Sequence, residues 1–210
     1  MSKPPYRPNV EGFTFRYAGL IYFWNHAEQC ARQIAQLLLG ESTMSMAVTA
    51  ELGNRSLVEA IEVASREMGA LGEHLQHFTN GYSTLVGYRN FYVHSLTGLQ
   101  HDGLVPGDTE GVLFSIDGKG RVKYFNRTLK SADLDKAVGG IHQLIGYGAA
   151  IQKELGATGE SIDRLIEAYQ ASLEKPHWPK PVTKTPLYLQ GQEPPPPEPK
   201  RKRGTRQGGR

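Results

Sequence analysis

Apolar residues recur along this chain at alternating steps of three and four. The first such seam runs Leu20, Trp24, Ala27, Ala31, Ile34, Leu38, widened by Phe23, Cys30 and Leu37, and it predicts a helix packed along one side. Gly40 is placed to end it. A second seam, Leu57, Ile61, Ala64, Met68, follows Asn54 and stops at Gly69; Asn is a good cap residue. A third runs Leu71, Leu75, Phe78, Tyr82, Leu85, then position 89, then Tyr92 and Leu96. Gly81 and Gly87 interrupt it, each at a cost of about 1 kcal/mol relative to Ala. A kink, a break at Asn80-Gly81 and a close approach of another backbone are the three readings of that interruption. A fourth seam, Leu134, Ala137, Ile141, Leu144, Gly148, Ile151, Leu155, begins after Ser131 as its cap. Past Gly156 and Gly159 comes a fifth: Ile162, Leu165, Ile166, Tyr169, Leu173.

Between the seams, residues 41–53 read as a connector and 97–111 as a loop. Val112–Ile116 and Arg121–Phe125 flank Asp117-Gly118-Lys119-Gly120, a hairpin signal. A lone hairpin is marginal in water, so it should lean on the helices. The expected fold is all-α: an up-and-down bundle of about five helices with a small inserted β-hairpin. Residues 1–16 are expected to be a flexible lead-in, with Pro4, Pro5 and Pro8 opposing helix. Residues 17–173 would form the folded domain. Residues 174–210 would be a disordered tail, since nine of the 13 prolines fall between 176 and 199 and such a stretch builds no core.

Composition narrows the chemistry. The single cysteine, Cys30, excludes an intrachain disulfide and a Cys-based zinc site and fits a reducing compartment. The opening Met1-Ser2-Lys3-Pro4-Pro5 lacks a signal pattern, and no apolar run approaches a membrane span. A cytoplasmic protein with no membrane attachment is the expectation. The formal charge of +3 is unevenly placed. Residues 174–210 hold nine Lys/Arg against three Glu, which leaves 15 basic and 18 acidic groups for residues 1–173. The folded part is thus mildly acidic. The tail run Lys200-Arg201-Lys202-Arg203 is either an RNA-binding segment acting by counterion release or a solvated end.

Position 89 falls on the apolar seam of the third helix, where Leu is expected and Arg89 stands. Burying a guanidinium without a partner is costly, so Arg89 must be paired or must line a polar cleft. His94 follows five residues later, and Asn90 lies one turn before His94 on the same face. Arg binds phosphate and His moves protons near neutral pH. These three side chains suit attack of an RNA 2′-hydroxyl on the adjacent phosphate, with Asn90 orienting His94. A second copy of the chain across a two-fold axis would complete so small a set. No metal or cofactor is expected: His74 and His77 are spaced for a metal but no third ligand accompanies them. Tyr22, Phe23 and Trp24 read as core rather than as a base-stacking platform.

Arg89-Asn90-x-x-x-His94 late in the third helix of a small bundle resembles the HEPN superfamily (higher eukaryotes and prokaryotes nucleotide-binding), whose pattern is Arg, a polar residue, three to five others, then His. The opening Asn54-Arg55-Ser56-Leu57 and the hairpin followed by a long helix are also similar to bacterial members. The resemblance covers roughly residues 17–173. It implies a homodimeric, metal-independent ribonuclease acting on RNA in a toxin–antitoxin, phage-defence or RNA-processing setting, with an antitoxin or other protein as partner. Members controlled by nucleotide addition carry Tyr two residues after the His, where this chain has Leu96. Other members have lost catalysis, so the alternative is a non-catalytic helical module that binds a protein partner or a nucleotide.

Overall fold

The computed structural model describes residues 10–98, 109–116, 122–129, 131–182 and 185–187, with side chains described at 12, 15–93 and 132–182. These residues are mostly helical. The helices are α1 (Val10–Leu38), α2 (Thr43–Glu51), α3 (Asn54–Ser65), α4 (Gly69–His94), α5 (Ser131–Glu154) and α6 (Glu160–Tyr169). The seams meet as their spacing requires. Leu20, Trp24, Ala27, Ala31 and Ile34 of α1 pack with Leu57 and Ile61 of α3, Leu75, Phe78, Tyr82 and Leu85 of α4, and Leu134, Ile141 and Leu144 of α5, all buried.

Cross-helix contacts give the directions. Glu62 faces Thr79, and Ser65 faces Gly72, so α3 and α4 are antiparallel. Leu85 meets Gly140 and Phe78 meets Gly148, so α4 and α5 are antiparallel too. Gly146 against Tyr169 and Lys153 paired with Asp163 reverse α6 on α5. Direction therefore alternates from α3 to α6. The helices α1 and α5 run parallel, as the contacts Arg16–Asp135, Phe23–His142 and Cys30–Gln152 show in order.

That α1–α5 seam buries the one thiol. Desolvation pushes Cys30 up to about 12, against the lowering effect of Gln152 Nε2, which donates to Sγ at 3.0 Å. Only the thiolate reacts quickly. Folded protein at pH 8 should therefore leave Cys30 unlabelled by iodoacetamide, and protein in guanidinium should be labelled fully, as read by intact mass.

Several expectations change. The lead-in is shorter than residues 1–16, because α1 begins at Val10 and uses Arg16 to pair with Asp135 at 2.8 Å; the prolines that oppose helix end at Pro8. The connector at 41–53 contains α2. It was hidden because its inward face is polar (Ser45 and Thr49) while Met44, Met46 and Val48 face solvent. Hydrogen bonds define this helix: Ser42 and Ser45 form a capping box, and Arg32 closes the other end on the carbonyls of Thr49 and Ala50. The bundle thus has six helices among the described residues rather than five. Tyr22, expected in the core with Trp24, is exposed.

The folded boundary also moves past 173. Gln170 takes a left-handed conformation (φ 47°) at the end of α6, and the following chain lies across α4 and α5 as a strap. Trp178 Nε1 donates to the His77 carbonyl at 3.0 Å, and its ring stacks on His77. Tyr88 Oη donates to the Lys180 carbonyl at 2.8 Å. Gly81 makes room for the indole: a Cβ there would come within 2.6 Å of Trp178 Cδ2. The break read at Asn80-Gly81 does not occur, since α4 continues through it, and the group that comes close is a side chain rather than another backbone. Proline-rich composition marks a segment that cannot build a core, but one indole is enough to fasten it to a core already built. Trp178→Ala should lower stability by about 2 kcal/mol, below the usual range for tryptophan because the ring is only partly buried; a thermal melt measures it.

Backbone pairing places β1 (Ser95–Gly98), β2 (Thr109–Ile116), β3 (Val122–Leu129) and β4 (Thr185–Leu187) in one antiparallel sheet of that order. Ser95 pairs with Leu113, Ile116 with Val122 and Tyr124 with Leu187. The turn expected at Asp117–Gly120 lies outside the described residues.

Candidate functional site

Arg89 is set on α4 between the buried Leu85 and Tyr92, where the seam expects an apolar side chain. Its guanidinium is partly buried, and Nη1 donates to Asn90 Oδ1 at 3.0 Å. It also reaches the field of Tyr82. Burial raises the pKa of that phenol, Glu28 raises it further, and Arg32 and Arg89 lower it. The phenol accordingly keeps its proton, and Oη donates to Asn54 Oδ1 at 2.7 Å. Arg32 is itself paired with Glu28 at 2.7 Å.

A polar layer therefore crosses three helices: Glu28 and Arg32 from α1, Asn54 from α3, and Tyr82, Arg89 and Asn90 from α4. Within it Arg89 is paired with Asn90 Oδ1, which gives a guanidinium on an apolar seam a polar partner. Sequence spacing found Arg89 and Asn90 but missed the rest. The i,i+4 pair Glu28–Arg32 was the available signal; it reads equally well as a solvated surface pair. Asn54 was expected to cap α3. Gly53 occupies that place, and Asn54 instead accepts from Tyr82.

Asn90 was expected to orient His94. Its Oδ1 is turned to Arg89. His94 is the last residue of α4, one turn beyond Asn90 and about 7.5 Å along the axis from Arg89; its side chain lies outside the described residues, as do Lys200, Arg201, Lys202 and Arg203. A guanidinium has five N–H donors in a planar fork, so the one given to Asn90 fixes the fork's orientation without exhausting it. Asn90 also lines a groove of about 460 Å³ between α3 and α4, with Asn54, Val58, Glu62, Ser83 and Val86. A phosphate held by Arg89 would have this groove beside it.

His74 and His77 are used structurally. His74 Nδ1 lies 2.7 Å from Tyr147 Oη, and His77 Nε2 lies 2.8 Å from the Pro176 carbonyl. Burial pushes Tyr147 up to about 12, so this phenol stays neutral. Among the described residues no three side chains are grouped to hold a metal ion, and no helix is long and apolar enough to cross a membrane. No family model matches this chain, and no curated protein or solved structure does.

Proposed function

We propose that this protein is a metal-independent endoribonuclease of HEPN type that works as a homodimer. The observation that carries the reading is Arg89, a partly buried guanidinium oriented by Asn90 one helical turn and a residue before His94, beside an open groove. On this reading a helical bundle bears the motif, with a small β insert joining α4 to α5.

In the proposed reaction His94 accepts the 2′-hydroxyl proton as the 2′-oxygen bonds to phosphorus. The bond from phosphorus to the 5′-oxygen breaks, and the His94 of a second copy protonates that oxygen. Arg89 stabilises charge on the phosphoryl oxygens. The products are a 2′,3′-cyclic phosphate and a 5′-hydroxyl, and DNA is not cut because it lacks the attacking group. Lys200–Arg203 would add salt-dependent affinity for RNA. The setting is a cytoplasmic toxin–antitoxin or phage-defence system with an antitoxin or similar protein as partner. The test is incubation of purified protein with RNA in EDTA. Cleavage leaving cyclic phosphate ends supports the proposal; intact RNA overturns it.

One observation favours a second reading, a non-catalytic module that binds a protein partner or a nucleotide. The pairing of Arg89 with its neighbour Asn90 and its reach to the buried Tyr82 are what a purely structural arginine would also show. On that reading Arg89→Ala lowers the melting temperature and leaves RNA intact in both proteins.

A further inference from the structure

We infer that the groove between α3 and α4 receives a guanine base of the RNA and that the Glu62 carboxylate reads it; this rests on the ribonuclease reading above. The groove is lined by apolar and polar side chains together. Val58 and Val86 offer surfaces for the faces of a flat ring, while Glu62, Ser83 and Asn90 supply polar groups. Its volume of about 460 Å³ lies within the range of small-ligand sites.

Its position follows from helix geometry. Ser83, Val86 and Asn90 form one row on α4 at steps of three and four, and position 94 is the next in that row. A base lying against Val86 would therefore have its own phosphate toward Asn90 and Arg89. From Ser83 to Asn90 the groove runs about 10 Å along the helix, a length suited to one nucleotide lying base-first toward Glu62.

Chemistry selects the base. A carboxylate only accepts hydrogen bonds. Guanine alone among the four bases presents two adjacent donors, N1–H and the 2-amino group, on its Watson–Crick edge, and unpaired RNA bases are read on that edge. Adenine sets an acceptor, N1, against the carboxylate. Glu62 is half-buried, with its Oε1 3.4 Å from Thr79 Oγ1; the Thr79 hydroxyl makes its shorter bond, 3.0 Å, to the Gln76 carbonyl, which leaves the carboxylate free to accept from a base. Glu59, the other carboxylate here, is exposed and paired with Arg55 at 2.8 Å. Glu62 is therefore the reader and Glu59 part of the rim.

Titrating the full chain with the 3′-monophosphates of guanosine, adenosine, cytidine and uridine tests this by calorimetry. The guanosine nucleotide should bind on the order of ten-fold tighter than the others. Glu62→Gln, which replaces one acceptor oxygen by a donor, should erase that preference. Val86→Trp, which fills the slot, should weaken all four nucleotides and is an independent check should Glu62→Gln lower the melting temperature. Equal affinities in the unaltered protein, or a guanosine preference that survives both substitutions, would overturn the inference. These are binding readouts, so they separate from the cleavage assay: RNA cut in EDTA without a guanosine preference refutes only the base assignment, and a preference without cleavage refutes only the nuclease.

Discussion

Arg89→Ala and His94→Ala should each reduce RNA cleavage by roughly 10²–10⁴-fold, the range for losing one general acid–base group or one charge-stabilising donor. The two losses should differ in kind. His94 ends α4, so its replacement should leave the melting temperature nearly unchanged. Arg89 belongs to the polar layer with Asn90 and Tyr82, so its removal should cost stability as well, because groups arranged for a cation lose it. Arg89→Lys separates charge from shape. It keeps the positive charge but loses the planar fork that matches phosphate, so it should restore stability better than activity. Initial rates on a labelled RNA, with parallel thermal melts, give both quantities. Undiminished cutting by His94→Ala would remove the motif from the chemistry.

Gly148→Ala should lower stability by about 3 kcal/mol. Gly148 is where α5 presses against both α1 and α4. A Cβ there would lie 2.8 Å from Phe78 Cε2 and closer still to Cys30 Sγ. Neither neighbour has room to retreat: Phe78 is fully buried, and Cys30 is held by Gln152. Overpacking of a full core typically costs 1–3 kcal/mol, and the squeeze from two sides puts this site at the upper end. For a chain of this size the melting temperature should fall by about 6–12 °C. Gly87→Ala is the control. It sits in α4 with nothing within 4 Å of the added carbon, so the substitution should stabilise by about 0.5–1 kcal/mol through helix propensity. Equal effects at the two sites would show that packing at Gly148 is looser than these contacts imply.

The two glycines also show where sequence reading ends. Both look alike in the pattern, as small residues inside a helical period. Gly148 stood on the predicted seam of the fourth helix and Gly87 beside the seam of the third, but which one touches another helix depends on Cys30, 118 residues away. The strap gives the same lesson. Nothing in the proline-rich composition marked Trp178, and its hydrogen bond to His77, 101 residues earlier, makes the stretch around it part of the folded body. For the site, the anomaly at position 89 was legible because a cation interrupted an apolar period. Its partners were not, since Asn54 and Tyr82 are joined across 28 residues.

The residue pattern by itself determined the long helices, their buried faces and the misfit of Arg89, because the helical period acts between residues three and four apart. Tertiary structure alone decided the closing of the polar-faced helix α2 by Arg32 and the fastening of the strap. Those outcomes depend on hydrogen bonds and close contacts between segments far apart in the chain, and no local periodicity records which distant group will satisfy a buried donor.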